Sequence, residues 1–196
     1  MEIFLLRHGE TEWSRAGRHT GRTDLPLTER GEDQARALAR VIKGREFALA
    51  LVSPAQRARR TAELAGVTSY EVDPDLWEWD YGGYEGITTP KIRESRPGWY
   101  LWRDGIVPGD ADHPGETVEQ VGERADRVIE RIKEAPGDVL LVAHGHFLRV
   151  LSARWLQLPA VEGRHLRLDT GTYSILGYEH EEPVLLRWNA PVEGPA

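Results

Sequence analysis

Three short segments of this chain carry the residue types that phosphoryl chemistry needs. His8 lies in Leu6-Arg7-His8-Gly9-Glu10-Thr11, Arg57 follows Ser53-Pro54-Ala55-Gln56, and His144 lies in Val142-Ala143-His144-Gly145-His146. A neutral imidazole attacks phosphorus through one ring nitrogen while its other N–H is held by an acceptor, here expected to be a nearby backbone carbonyl. The phosphoryl group in flight spreads charge over its equatorial oxygens, which Arg7, Arg57 and a protonated His144 would stabilise. The leaving alkoxide needs a proton and the attacking water must lose one, so a carboxylic acid in the loop 76–86 would serve both steps. Glu78 is the choice, with Asp80, Glu85 and Glu10 as competitors. No step of this chemistry requires a metal, and no cofactor is expected.

Composition narrows the partners. The 196 residues carry a formal net charge of -7, so a general nucleic-acid or anionic-membrane surface is disfavoured by the long-range field. A small phosphorylated substrate, with roughly -1.5 to -2 charges, would instead need a local basic pocket, where guanidinium groups grip its oxygens bidentately. The chain has no cysteine, which removes thiolate nucleophiles and disulfides. The apolar start at 3–6 is far too short for a signal or a membrane span, so a cytoplasmic enzyme is the expectation. A single domain over 1–196 is expected, and a homo-oligomer is compatible with it.

These residues must be held by an α/β architecture, a mostly parallel central sheet flanked by helices on both faces. The apolar runs at 3–6 and 139–143 suit strands buried on both sides, and each leads into a histidine segment. A polar loop is expected over 9–27, then a helix capped by Thr28 with the stripe Ala35, Leu38, Ala39, Ile42, ending at Gly44. Residues 49–52 form a third strand, after which Ser53-Pro54 is expected to cap a helix running towards Gly66. Residues 70–72 are a weaker strand, and 76–86 an irregular aromatic loop. The Pro- and Gly-rich 88–116 segment is expected to be a cap over the active site with short helices. Thr117 and Gln120 make a capping box before the stripe Val118, Val121, Ala125, Val128, Ile129, Ile132. Phe147, Val150, Leu151 and Leu158 line a further helix stopped by Pro159. A hairpin of 173–178 and 184–188 follows, then a loose tail over 190–196.

In open α/β sheets ligands collect beyond the carboxyl ends of the strands. Arg7 with His8, Ser53 with Arg57, and His144 with Gly145 all fall at such ends, which predicts one basic pocket. Arg59 and Arg60 share a helix with Arg57, but only Arg57 sits beside the strand end. His144 and His146 have the spacing of two zinc ligands, yet no third ligand motif is near and a zinc site needs three or four. His146 is equally a helix-start residue with a structural hydrogen bond. Trp77, Trp79, Tyr81, Tyr84, Trp99, Tyr100 and Trp102 either line a sugar-binding mouth or simply pack. Tyr81 and Arg149 are chosen as contacts to the rest of the substrate, Arg149 because a helix N-terminus favours an anion there.

With these motifs in place, the chain resembles the histidine phosphatase superfamily, the phosphoglycerate mutase-like enzymes. The resemblance is carried by residues 6–13, by Thr20-Gly21-Arg22-Thr23-Asp24 with Leu27-Thr28-Glu29-Arg30-Gly31, and by Ser53-Pro54-Ala55-Gln56-Arg57-Ala58. Glu78 with Gly82 and Glu85-Gly86, Gly115-Glu116-Thr117 and Val142-Ala143-His144-Gly145-His146 follow in order. The resemblance implies a phosphoglycerate mutase-like fold, His8 as the phosphorylated residue, Glu78 as proton donor and acceptor, and Arg7, Arg57 and His144 as phosphate ligands. Ser14, His19, Thr20, Gly21, Ser53, Tyr81, Gly145 and Arg149 complete the expected substrate contacts. Cofactor-dependent mutases usually have asparagine where this chain has Ser14 and arginine where it has Trp79, and they carry an arginine-rich insertion absent from 88–116. The pattern therefore looks more like the phosphatase branch with sugar-bisphosphatases and broad-specificity acid phosphatases. The expected function is metal-independent hydrolysis of small phosphorylated metabolites, sugar phosphates or bisphosphates, through phosphohistidine. A phosphoglycerate mutase and a non-catalytic phospho-ligand binding protein are the alternatives.

Overall fold

The continuous apolar runs become the centre of a six-stranded sheet in the computed structural model, which describes residues 1–192. Strands β1 (Ile3–Arg7), β2 (Leu49–Val52), β3 (Glu71–Val72), β4 (Val139–Ala143), β5 (Thr172–Glu179) and β6 (Glu182–Pro191) stand in the order β3-β2-β4-β1-β5-β6. The first four in that order are parallel, while β5 and β6 add an antiparallel edge. Helices are α1 (Glu12–Arg15), α2 (Glu29–Ile42), α3 (Gln56–Ala65), α4 (Thr89–Ser95), α5 (Leu101–Asp104), α6 (Val118–Glu134) and α7 (Gly145–Trp155).

Alternation along the strands explains why these runs lack polar residues. Ile3 and Leu5 of β1 pack into one apolar cluster with Val121, Val128, Phe147 and Leu151 of α6 and α7. Phe4 and Leu6 point the other way, into a cluster with Leu38 and Ile42 of α2 and Ala58 and Ala62 of α3. Both faces are thus covered, and successive side chains of a strand must all be apolar. The sheet is α/β and mostly parallel, as the sequence implies.

Several local expectations need correction. The 9–27 stretch is not all loop: Thr11 and Ser14 form a capping box around α1. Ser53 does not cap α3, which starts at Gln56 after Ala55 with no side-chain cap of its own. The Ser53 hydroxyl lies 2.7 Å from His144 Nε2 instead, and Asp24 from a distant loop accepts the Gln56 N–H at 2.8 Å. Leu158 does not line α7, which ends at Trp155. Gln157 turns into the left-handed region at φ 61, and Leu158 is left exposed. The hairpin is longer than expected, with Ala190 and Pro191 inside β6, and the rest of the expected tail, 193–196, lies outside the described residues.

Two glycines permit the backbone approach that brings the first loop onto α2. A Cβ on Gly9 would sit 2.1 Å from the Gly31 carbonyl oxygen, and a Cβ on Gly31 would sit 2.1 Å from that of Glu10. Any side chain at either position would push the loop after β1 away from the helix, and His8 with it.

Candidate active site

β1, β4 and β2 are neighbours in register, Arg7 opposite Ala143 and Val52 opposite Val142. Their carboxyl ends therefore deliver His8, His144 and Ser53 side by side. The His8 and His144 rings lie 5.0 Å apart, edge to face. A cavity of about 280 Å³ opens in front of His8, lined by Arg7, Arg18, Arg149, His19, His146, Glu78 and Tyr81 among others. Three arginines against one carboxylate make it basic in an acidic protein.

His8 is oriented by its neighbour's backbone. Its Nδ1 lies 2.7 Å from the Gly9 carbonyl oxygen, so Nδ1 carries the hydrogen and Nε2 is left with a free lone pair. Burial, then the charges of Arg57 and Arg7, hold this imidazole well below the usual histidine range. The ring is thus neutral, the form a nucleophile needs.

Arg7 sits beside it with a buried nitrogen unused. Its Nη1 donates to the Leu168 carbonyl, while its buried Nε has no hydrogen-bond partner. An unpaired buried donor is costly, and the Arg7 side chain that carries it lines the cavity. The guanidinium packs on α7: a Cβ at Gly145 would lie 3.0 Å from Arg7 Cζ.

Glu78 is fixed by the start of α7, which has no side-chain cap of its own. Its Oε1 accepts from Trp79 N at 2.9 Å and Phe147 N at 2.8 Å, and its Oε2 accepts from His146 N at 3.0 Å. A carboxylate at a helix N-terminus also meets the positive end of the dipole. Oε1 is filled by two amides, whereas Oε2 keeps a lone-pair site for a further partner.

Behind His8 the arrangement departs from expectation. Arg57 is wholly buried and does not line the cavity: it donates to Gly21 O at 2.9 Å, Thr23 O at 3.0 Å and His144 Nδ1 at 3.2 Å. His144 accepts at Nδ1 and therefore presents Nε2–H to Ser53. Burial, then the Arg57 charge, lowers its pKa well below the usual range, so the expected protonated His144 is replaced by a neutral one. Gly21 and Ser53 are likewise supports for Arg57 and His144 and do not line the cavity.

The other expected contacts divide. His19, Thr20, Tyr81, Gly145, Arg149 and Ser14 line the cavity. The Ser14 hydroxyl is engaged with Thr11, donating to its carbonyl at 3.0 Å. Arg149 donates to Gly163 O at 3.1 Å and lies 4.6 Å over the Trp102 ring. Arg18, Thr89 and His146 also line the cavity without having been chosen from the sequence. Arg18 is an exposed loop residue with no sequence signal. Arg124 is a missed support. It pairs with Glu116 at 2.8 Å and donates to the carbonyls of Asp75, Trp77 and Glu78, fixing the loop that carries Glu78. Its signal was an arginine between Val121 and Ala125 on the buried stripe of α6. Among the described residues no group of three or more His, Asp or Glu side chains could hold a metal ion, and no helix is long and apolar enough to cross a membrane.

Comparison with known proteins adds an independent line. The chain is 45% identical over 182 residues to an acid phosphatase of Mycobacterium tuberculosis, covering 91% of this chain and 87% of that protein. It is 37% identical over 188 residues to sedoheptulose 1,7-bisphosphatase of Saccharomyces cerevisiae, covering 79% and 67%. A solved structure of a Mycobacterium tuberculosis open reading frame superposes with a TM-score of 0.90 at 42% identity over 98% of both chains. The family model of the histidine phosphatase superfamily, branch 1, matches residues 3–191, and the chain belongs to that family.

Proposed function

We propose that this protein hydrolyses small phosphorylated metabolites, sugar phosphates or bisphosphates, through a phosphohistidine on His8. The observation that carries the reading is the pairing of a neutral His8, its Nδ1–H held by Gly9, with the incompletely bonded guanidinium of Arg7 on the wall of the same cavity. His8 Nε2 attacks phosphorus, the ester P–O bond breaks, and the leaving alkoxide takes a proton from Glu78. Water then gives a proton back to Glu78 as its oxygen attacks, the P–N bond breaks, and phosphate leaves. Oε2 is the oxygen that carries this proton, since Oε1 is filled by two amides. Arg7 meets the phosphate directly, and Arg57 acts through its charge while His144 is held behind the nucleophile. No step calls for a metal or cofactor.

The test is phosphate release from a panel of sugar phosphates, phosphoglycerates and an aryl phosphate, together with protein labelling by a radioactive phosphate ester. Release with transient labelling, both lost in His8→Ala, is the expected result. Isomerisation of 3-phosphoglycerate with little free phosphate would mean a mutase. Tight phosphate binding with neither labelling nor turnover would mean a binding protein.

A further inference from the structure

His146 stands where the cavity in front of His8 meets a second one. The second compartment, about 180 Å³, is lined by Trp99, Tyr100, Leu101 and Trp102 and shares His19, Thr89, His146 and Arg149 with the first. A phosphate ester with phosphorus at His8 has room to lay its organic part along this junction. The His146 ring is held edge to face against Trp102 at 5.4 Å and Trp79 at 6.1 Å, so it has little freedom to turn.

Its tautomer is also fixed. Tyr81 Oη lies 2.5 Å from His146 Nδ1. The phenol is buried, with 2% of its surface exposed, and His146 Nδ1 is its hydrogen-bond partner. The phenolic O–H donates to Nδ1, because a phenol is a stronger acid than a neutral imidazole N–H and the ring nitrogen is the better acceptor of the two. The consequence is Nε2–H on His146, a donor on a ring that borders both compartments.

We infer that His146 Nε2–H, aligned by Tyr81, is a specificity-determining donor that hydrogen-bonds a hydroxyl of the substrate's organic part and so selects polyhydroxylated esters over plain alkyl ones. The neighbouring indole faces suit the C–H faces of such a chain. Tyr81 acts through His146 and is a positioning residue. The inference rests on the phosphomonoester reading above, because it takes phosphorus to sit at His8. A site built to bond a substrate hydroxyl rejects the analogue lacking it, since its own donor is then left unpaired.

The test compares two non-hydrolysable phosphonates that differ only in hydroxyls, 3,4-dihydroxybutylphosphonate and butylphosphonate, by calorimetry on the full chain. The dihydroxy compound should bind the wild-type protein about tenfold more tightly. That ratio should fall to near one in His146→Phe, which keeps a ring against the tryptophans, and in His146→Ala. Nitrogen-15 NMR should show the Nε2–H tautomer in the wild type and a tautomer mixture in Tyr81→Phe. Equal binding of the two phosphonates by the wild type, an unchanged ratio in both His146 variants, or an Nδ1–H tautomer would each overturn the inference. Neither readout needs turnover. Failure of the hydrolytic reading would appear separately, as absent phosphate release from esters whose phosphonate analogues still show the ratio.

Discussion

Arg57 Nε donates to His144 Nδ1 at 3.2 Å, and this bond decides what His144 does. A ring nitrogen that accepts from a guanidinium carries no hydrogen, so the remaining hydrogen lies on Nε2 and points at Ser53 Oγ, 2.7 Å away. All three residues are fully buried. His144 and Ser53 thus form a neutral pair beside His8, with the positive charge of Arg57 on its far side.

Ser53→Ala should therefore destabilise the fold by more than an ordinary surface change. It strips the acceptor from a buried N–H, which costs about 1–3 kcal/mol. Urea denaturation should show that loss, and inorganic phosphate should bind more weakly as His144 shifts. Ser53→Thr, which keeps the hydroxyl, should recover most of the phosphate affinity. A Ser53→Ala protein with unchanged denaturation midpoint would mean that His144 does not rely on this acceptor.

The pH dependence of stability has a definite sign. Burial and two arginine charges lower the folded-state pKa of His8 well below its unfolded value, which is about 6.5. At pH values between the two, the unfolded chain binds a proton that the folded chain does not. Stability is then full above about pH 6.5 and falls as pH drops towards the folded pKa, by at most about 1.4 kcal/mol per pH unit for this group. His19, His144 and His146 shift the same way, so the wild type should weaken steeply from pH 6.5 to 5. His8→Asn should show a shallower slope across that window in denaturation midpoints. Parallel slopes would place the proton uptake on the other histidines.

Glu78→Gln should have two separable effects. A glutamine offers one oxygen and one NH2 to three amide donors, so it faces at least one of Trp79, His146 and Phe147 with the wrong group. The expected stability loss is about 1–2 kcal/mol. Independently, alkyl phosphates should slow far more than activated aryl phosphates, because only a poor leaving group needs the proton. Equal slowing of both classes would move the acid role to another carboxyl.

What could be read along the chain depended on how local each cause is. The five-residue run of β4 was legible because every side chain is buried, and the Thr117–Gln120 box because both partners lie within one turn. His8 and Glu78 were legible as types near strand ends and loops. Choices made across the fold were not. Ser53 has the local form of a helix cap, yet a histidine 91 residues away competes better for its hydroxyl. The true caps of α3 and α7 are Asp24 and Glu78, each reached only by folding. Arg57 was expected to face the phosphate because placement at a strand end does not reveal three protein acceptors nearer to hand. Arg18 lines the cavity from an exposed loop whose path is set by contacts between His19 and Ile87.

A residue far from the chemistry should tune it through Arg7. Asn189 in β6 adopts a left-handed backbone at φ 50, a region asparagine tolerates better than most residues. Its side chain and Asp169 bond reciprocally: Asp169 N donates to Asn189 Oδ1 at 2.8 Å, and Asn189 Nδ2 donates to Asp169 Oδ2 at 2.9 Å. That clamp fixes the strap in which Leu168 accepts from Arg7 and Gly171 N donates to the His8 carbonyl at 3.0 Å. Asn189→Ala loses both bonds and strains the backbone, so it should cost about 1–3 kcal/mol and raise KM for a phosphate ester several-fold. Asn189→Gly relieves the strain but cannot restore the clamp. Its stability should recover in part while its KM stays high, a split between denaturation and kinetics that simple loss of folding would not produce. Recovery of both together would reduce Asn189 to a backbone requirement of β6, whose pairing with β5 shifts register between Tyr173 and Ile175.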